Sequence, residues 1–150
     1  MKRINVFSVE LIRDKAALYD IESKKVTSPD AAYRAIEEIF SLSSKPNEHF
    51  GMFSLNTKNE IIGAHLIFSG SVNSSVVHPR EVFQRALLNN ATSVVVFHNH
   101  PSGDPGPSRE DLDVTRRLQE AGKVLGIELL DHIIIGDGRH YSLKSKGHMN

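Results

Sequence analysis

The sequence predicts an α/β domain in which a mixed β-sheet is flanked by helices. Three observations carry that reading. Apolar residues follow helical and strand periods in the order α-β-β-α-β-α-β-β, without repeats. The run Val94-Val95-Val96-Phe97 is short, β-branched and apolar on both faces, which marks a strand buried inside a sheet. A stiff loop, Asn99–Pro107, then separates that strand from a long helix. It holds three of the six prolines and two of the ten glycines, so regular structure is not expected there.

The elements follow in order. Residues Ile4–Asp20 alternate Val6, Ser8 and Glu10 with Phe7, Val9 and Leu11, a strand pattern expected at a sheet edge. Such an edge could pair with a second copy and make a homodimer. Ser28 caps a helix that Pro29 opens, with Ala32, Ala35, Ile36, Ile39 and Phe40 as its apolar stripe. His49 to Ser69 reads as a hairpin turning at Thr57-Lys58-Asn59. Pro79 starts a helix through Asn90 that buries Val82, Phe83, Ala86 and Leu87. The buried strand Ser93–Phe97 ends at His98. A helix from Ser108 to Leu125 stops at Gly126. Ile127–Ile135 forms a further strand, and Gly136-Asp137-Gly138 turns it towards Arg139–Leu143.

The chain has 150 residues, 39% hydrophobic and 24% charged, which fits one domain over residues 1–150 with a core at about 28–143. Eighteen basic residues balance eighteen acidic ones, so charge gives no support for a nucleic-acid partner. The absence of cysteine excludes disulfides, thiolate metal sites and a cysteine nucleophile. No apolar run approaches the ~20 residues of a membrane span, and Met1–Asn5 does not open an apolar leader. The expected location is cytoplasmic.

The chemistry concentrates in one segment. His98 and His100 stand one residue apart just past the buried strand, and Asp111 lies on the first turn of the following helix. The strand end and the helix start can therefore face each other across the loop. Two imidazoles and one carboxylate match a zinc site that keeps a fourth position open for water. Asp104 and Asp113 are fallback ligands. A base is needed as well. Glu48, just before the first hairpin strand, is the first candidate and Glu81 the second, and spacing alone does not separate them. Ser108 reads as a helix N-cap, with Asp111 in the glutamate place of a capping box. His78, His132 and His140 are expected to be structural, with His78 or His132 as candidates to contact a substrate or a ligand side chain.

The pattern His-x-His, seven residues, Ser, two residues, Asp is met by His98, His100, Ser108 and Asp111. It resembles the JAMM signature of the MPN/JAB metalloprotease superfamily. His98-Asn99-His100-Pro101-Ser102-Gly103, with His78-Pro79-Arg80-Glu81 upstream and Leu130-Asp131-His132 downstream, is similar to its RadC-like branch. The resemblance implies a cytidine-deaminase-like α/β fold with one zinc on His98, His100 and Asp111. It implies Glu48 as the catalytic glutamate, Ser108 as a donor to the oxyanion, and a protein or peptide as substrate. The chain resembles a short form without the helix-hairpin-helix region, as found in phage and mobile elements, and the DNA-repair role in the family name is not carried over. Two other classes remain to be weighed: a metal-free scaffold, and a metal-dependent nuclease. A nucleobase deaminase needs P-C-x-x-C and is excluded without cysteine.

Overall fold

A computed structural model describes all residues, Met1–Asn150. Five strands form one sheet: β1 (His49–Leu55), β2 (Ile61–Ser69), β3 (Ser93–Asn99), β4 (Glu128–Ile135) and β5 (His140–Ser142), in the order β2-β1-β3-β4-β5. β3 and β4 run parallel and every other pair is antiparallel, so the sheet is mixed, as expected. The parallel pair needs a crossover. That crossover is the helix α3 (Arg109–Leu125).

Alternation along the central strands divides the core into two layers. Val95, Phe97, Phe53, Leu55, Ile133 and Ile135 meet α1 (Pro29–Phe40) through Ala32, Ala35 and Ile36. Val94, Val96, Phe50 and Met52 meet α2 (Pro79–Leu88) and α3 through Val82, Phe83, Val114 and Leu118. All seven residues of β3 are buried, in keeping with its central place in the sheet. His98, at an even position beyond Val94 and Val96, therefore points to the α2–α3 side.

A register shift in β4 has a direct effect on that side. Val94 pairs with Leu129 but Val95 pairs with Asp131, so Leu130 is an extra residue in the strand. Leu129 packs with the α2–α3 layer, while Ile133 and Ile135 pack with the α1 layer. Strict alternation would have put Leu129 and Ile133 on one face. The bulge re-phases the strand, and His132, opposite Val96, shares the face of His98.

The N-terminal segment corrects one expectation. Ile4–Asp20 forms no strand, and Ile4, Val6, Phe7 and Val9 stand exposed. Chain pairing begins only at Lys24–Val26, where Lys25 bridges to Glu60 beside the hairpin turn. Before that point, the backbone N–H of Asp20 is taken by the Glu38 carboxylate on α1. The chain therefore leaves the free edge of β2, and an alternating pattern without a neighbouring edge has no ladder to join. A short 3-10 turn, Leu42–Ser44, was also not anticipated; it buries Leu42 under the α1 layer. No helix is long and apolar enough to cross a membrane.

Candidate metal centre

The end of β3 and the first turn of α3 meet as the loop length suggests. His98 Nε2 lies 3.1 Å from His100 Nε2 and 3.1 Å from Asp111 Oδ1, and His100 Nε2 lies 3.1 Å from Asp111 Oδ2. One donor atom from each residue falls within 4.8 Å of the other two. Four donors around zinc at 2.0–2.1 Å stand roughly 3.3 Å apart, so these three residues fit three corners of such a shell. His98 is fully buried and Asp111 nearly so, while His100 keeps 15% of its side chain exposed. The cluster opens to solvent on the His100 side. It is compatible with a metal site.

Each member is held by a local device. Asp111 Oδ2 accepts from the Ser108 backbone N–H at 2.9 Å, and the Ser108 hydroxyl oxygen accepts from the Asp111 N–H at 3.0 Å. This is the capping box read from the sequence, and it sets the carboxylate's orientation. His100 Nδ1 faces the Asp104 carbonyl oxygen at 2.9 Å and donates to it, which leaves Nε2 for the cluster. Asp104 therefore works through its backbone; its carboxylate accepts from Gly106 N–H. Asp113 pairs with Arg116 on the exposed face of α3. Neither fallback ligand joins the cluster. His140 stacks on Tyr33, and His78 sits at the N-cap of α2 without a side-chain cap bond.

The loop that carries His100 is docked on the β4–β5 turn. His100 N–H donates to Ile135 O and Asp137 N–H donates to Gly103 O, both at 2.9 Å. Gly136 makes this approach possible: a Cβ there would collide with the Gly103 carbonyl oxygen and stand 2.8 Å from Pro105 Cδ. Gly136→Ala is expected to push the loop off the turn. Affinity of the cluster for an added divalent cation, with zinc as the probe, should fall roughly ten- to a hundredfold, as when other outer supports of a ligand are removed. A competition titration against a chelator checks this, and affinity within twofold of wild type would contradict it.

Glu48 enters from β1. Phe50 pairs with His98 in the antiparallel β1–β3 ladder, so Glu48 lies at the level of His100. The Glu48 main-chain oxygen accepts from Gly70 N–H, and its Oε2 accepts from Val72 N–H, both at 2.9 Å. Asn99 fixes this stretch from the other side: its Oδ1 accepts from His49 N–H at 2.7 Å and its Nδ2 donates to Asn47 O at 3.0 Å. Sequence reasoning passed over Asn99. Alternation puts its side chain on the face opposite His98, and its partners about fifty residues away leave no signal in the spacing.

Electrostatics follow from the crowding. Burial by itself would raise the Asp111 carboxyl, but the adjoining His100 and His98 rings and the Ser108 N–H outweigh it and hold the group far below the usual carboxylate range. His100 is raised, first by its hydrogen bond with Asp111, with Glu48 adding a smaller push in the same direction. His132 is held well below the ordinary histidine value by burial first and by His98 next. The sign for metal uptake follows. Protonated His100 is favoured below its raised value, above 6.5, and a cation must displace that proton. Asp111 stays ionised through the same range and adds no slope. Apparent affinity for a divalent cation, with zinc as the probe, should therefore decline by about tenfold per pH unit below the His100 value. Titrations at pH 6, 7 and 8 test this; a flat profile would contradict it.

The sequence pattern of the RadC-like JAB domain matches residues 26–148, more than four fifths of the chain. The chain belongs to the RadC-like JAB domain family. A UPF0758 protein of Caldanaerobacter subterraneus subsp. tengcongensis is 52% identical over 141 residues, 94% of this chain and 60% of that protein. UPF0758 proteins of Bacillus cereus and Bacillus anthracis are 55% identical over 125 residues, 83% of this chain and 54% of each relative. The chain thus spans a little over half the length of these curated relatives. The mixed five-stranded sheet with three helices is consistent with a JAB/MPN α/β fold, and the His98-His100-Asp111 cluster stands where the RadC-like JAB pattern covers the chain.

Proposed function

We propose that the chain is a zinc-dependent hydrolase of the JAMM type that cleaves a peptide or isopeptide bond. The observation that supports this most is the convergence of His98 Nε2, His100 Nε2 and the Asp111 carboxylate at a spacing that suits one cation. Two imidazoles and one carboxylate are the donor set of hydrolytic zinc sites with an open position. A zinc ion held there would supply a Lewis acid and lower the pKa of water to about 7. Glu48, level with His100, is the base: it takes a proton from the attacking water and returns it to the leaving amine nitrogen. The Ser108 hydroxyl oxygen accepts from Asp111 N–H, which leaves its own proton free to donate to the oxyanion of the scissile carbonyl. A contact of that type is worth about 2.7–4 kcal/mol in other hydrolases.

The test uses the full chain loaded with zinc alone. Wild type and Glu48→Gln are incubated with a library of proteome-derived peptides, and new N-termini are read by mass spectrometry. New termini in the wild-type sample only are expected. A zinc-loaded wild type that generates none contradicts the hydrolase reading, and a wild type that takes up no zinc returns the protein to the scaffold class. Plasmid DNA cut by wild type but not by His98→Ala would favour a nuclease instead.

A further inference from the structure

Behind the cluster, on the side away from solvent, runs a chain of polar side chains that the proposed reaction does not use. His98 Nδ1 lies 2.8 Å from His132 Nε2. His132 Nδ1 lies 2.7 Å from Thr115 Oγ1, which donates to the Asp111 carbonyl oxygen at 2.9 Å. His98, His132 and Thr115 are all buried to within 1% of full enclosure, so no solvent completes their bonds. The chain starts and ends on cluster residues: His98 at one end and the backbone of Asp111 at the other.

The direction of the protons follows from counting them. Thr115 has one hydroxyl proton, and the Asp111 carbonyl oxygen takes it. Towards His132 the hydroxyl can then only accept, so His132 carries its proton on Nδ1. In a neutral ring Nε2 is then a lone pair, and the proton between the two imidazoles must sit on His98 Nδ1. A neutral His98 with Nδ1 protonated has its lone pair on Nε2, the atom that faces His100 and Asp111. That outcome is not automatic. Asp111 Oδ1, 3.1 Å from His98 Nε2, would otherwise draw a proton onto that nitrogen and close it to a cation.

From this geometry we infer that His132 and Thr115 are positioning residues that fix the tautomer and ring orientation of His98, so that its Nε2 is presented as a ligand atom. The inference rests on the metal reading above and extends it to residues that touch neither cation nor substrate. The β4 bulge at Leu130 belongs to the same device, because it turns His132 to the face of His98. Thr115 lies one helical turn beyond Asp111, so α3 supplies both a ligand and the end of the relay.

The experiment measures zinc affinity by chelator competition for wild type, Thr115→Val, Thr115→Ser and His132→Gln, each checked for a cooperative thermal transition. Thr115→Val keeps the shape of the side chain and removes the hydroxyl; a ten- to hundredfold weaker affinity is expected. Thr115→Ser restores the hydroxyl and should stay within about threefold of wild type. His132→Gln retains an acceptor for His98 Nδ1 and should lose less than Thr115→Val. Long-range ¹H–¹⁵N spectra of the zinc-free wild type supply a signature that packing alone would not produce: both His98 and His132 protonated on Nδ1 before any cation holds His98 Nε2. Equal affinities for wild type and Thr115→Val, or a His132 protonated on Nε2, overturn the inference while leaving the metal site intact. A wild type that binds no zinc overturns the metal reading, and this inference with it.

Discussion

Glu48→Gln is expected to retain about one zinc per chain and to lose about 10²–10⁴-fold in turnover on the best-cleaved peptide. The amide keeps the size of the side chain and can still face the backbone near Val72, but it cannot take up a proton. Gly70 and Asn99 hold the surrounding backbone, so the strand is not expected to move. Metal content by mass spectrometry and steady-state rates on the same preparation separate the two effects. Full activity in Glu48→Gln would remove Glu48 as the base and move the assignment to Glu81, on the first turn of α2. Loss of zinc together with activity would make Glu48 a support of the cluster instead.

Asp111→Ala should abolish zinc binding and also lower the stability of the metal-free protein. The carboxylate faces both imidazoles and at the same time accepts the Ser108 N–H in the capping box. Its removal strips a ligand and leaves that N–H without its partner, at a cost on the order of 1 kcal/mol from the cap. The partners His98 and His100 then face each other without an anion between them. Chelator competition and thermal melts of the metal-free protein read the two losses separately. Zinc bound at wild-type affinity by Asp111→Ala would exclude Asp111 as a ligand.

Much of the fold was legible because its signals are local. Pro29 after Ser28, Pro79, Ser108 with Asp111, and Gly126 punctuate the helices through backbone chemistry that needs no tertiary partner. The run Val94–Phe97 could hardly be anything but a central strand. The cluster was legible for the same reason: a strand end, a stiff loop of known length and a helix start leave few ways to arrange His98, His100 and Asp111. What escaped depends on other segments. The alternation in Ile4–Asp20 describes a chain that could be a strand, but only a neighbouring edge makes it one. His132 was already a candidate to contact a ligand side chain, but its contact with His98 depends on one extra residue at Leu130, which period-two counting does not show. Asn99 and Thr115 bind partners that are respectively about fifty and seventeen residues away, at distances in sequence where no spacing rule operates. Glu48 occupies an intermediate position. Its place before β1 was readable, but its level beside His100 needed the β1–β3 register.

The most direct test of the whole account is anomalous diffraction at the zinc absorption edge from crystals of the full chain equilibrated with zinc. One strong peak is expected, about 2.0–2.2 Å from His98 Nε2, His100 Nε2 and a carboxylate oxygen of Asp111. A map with no peak between those three side chains, or with zinc held only at other residues, would contradict it.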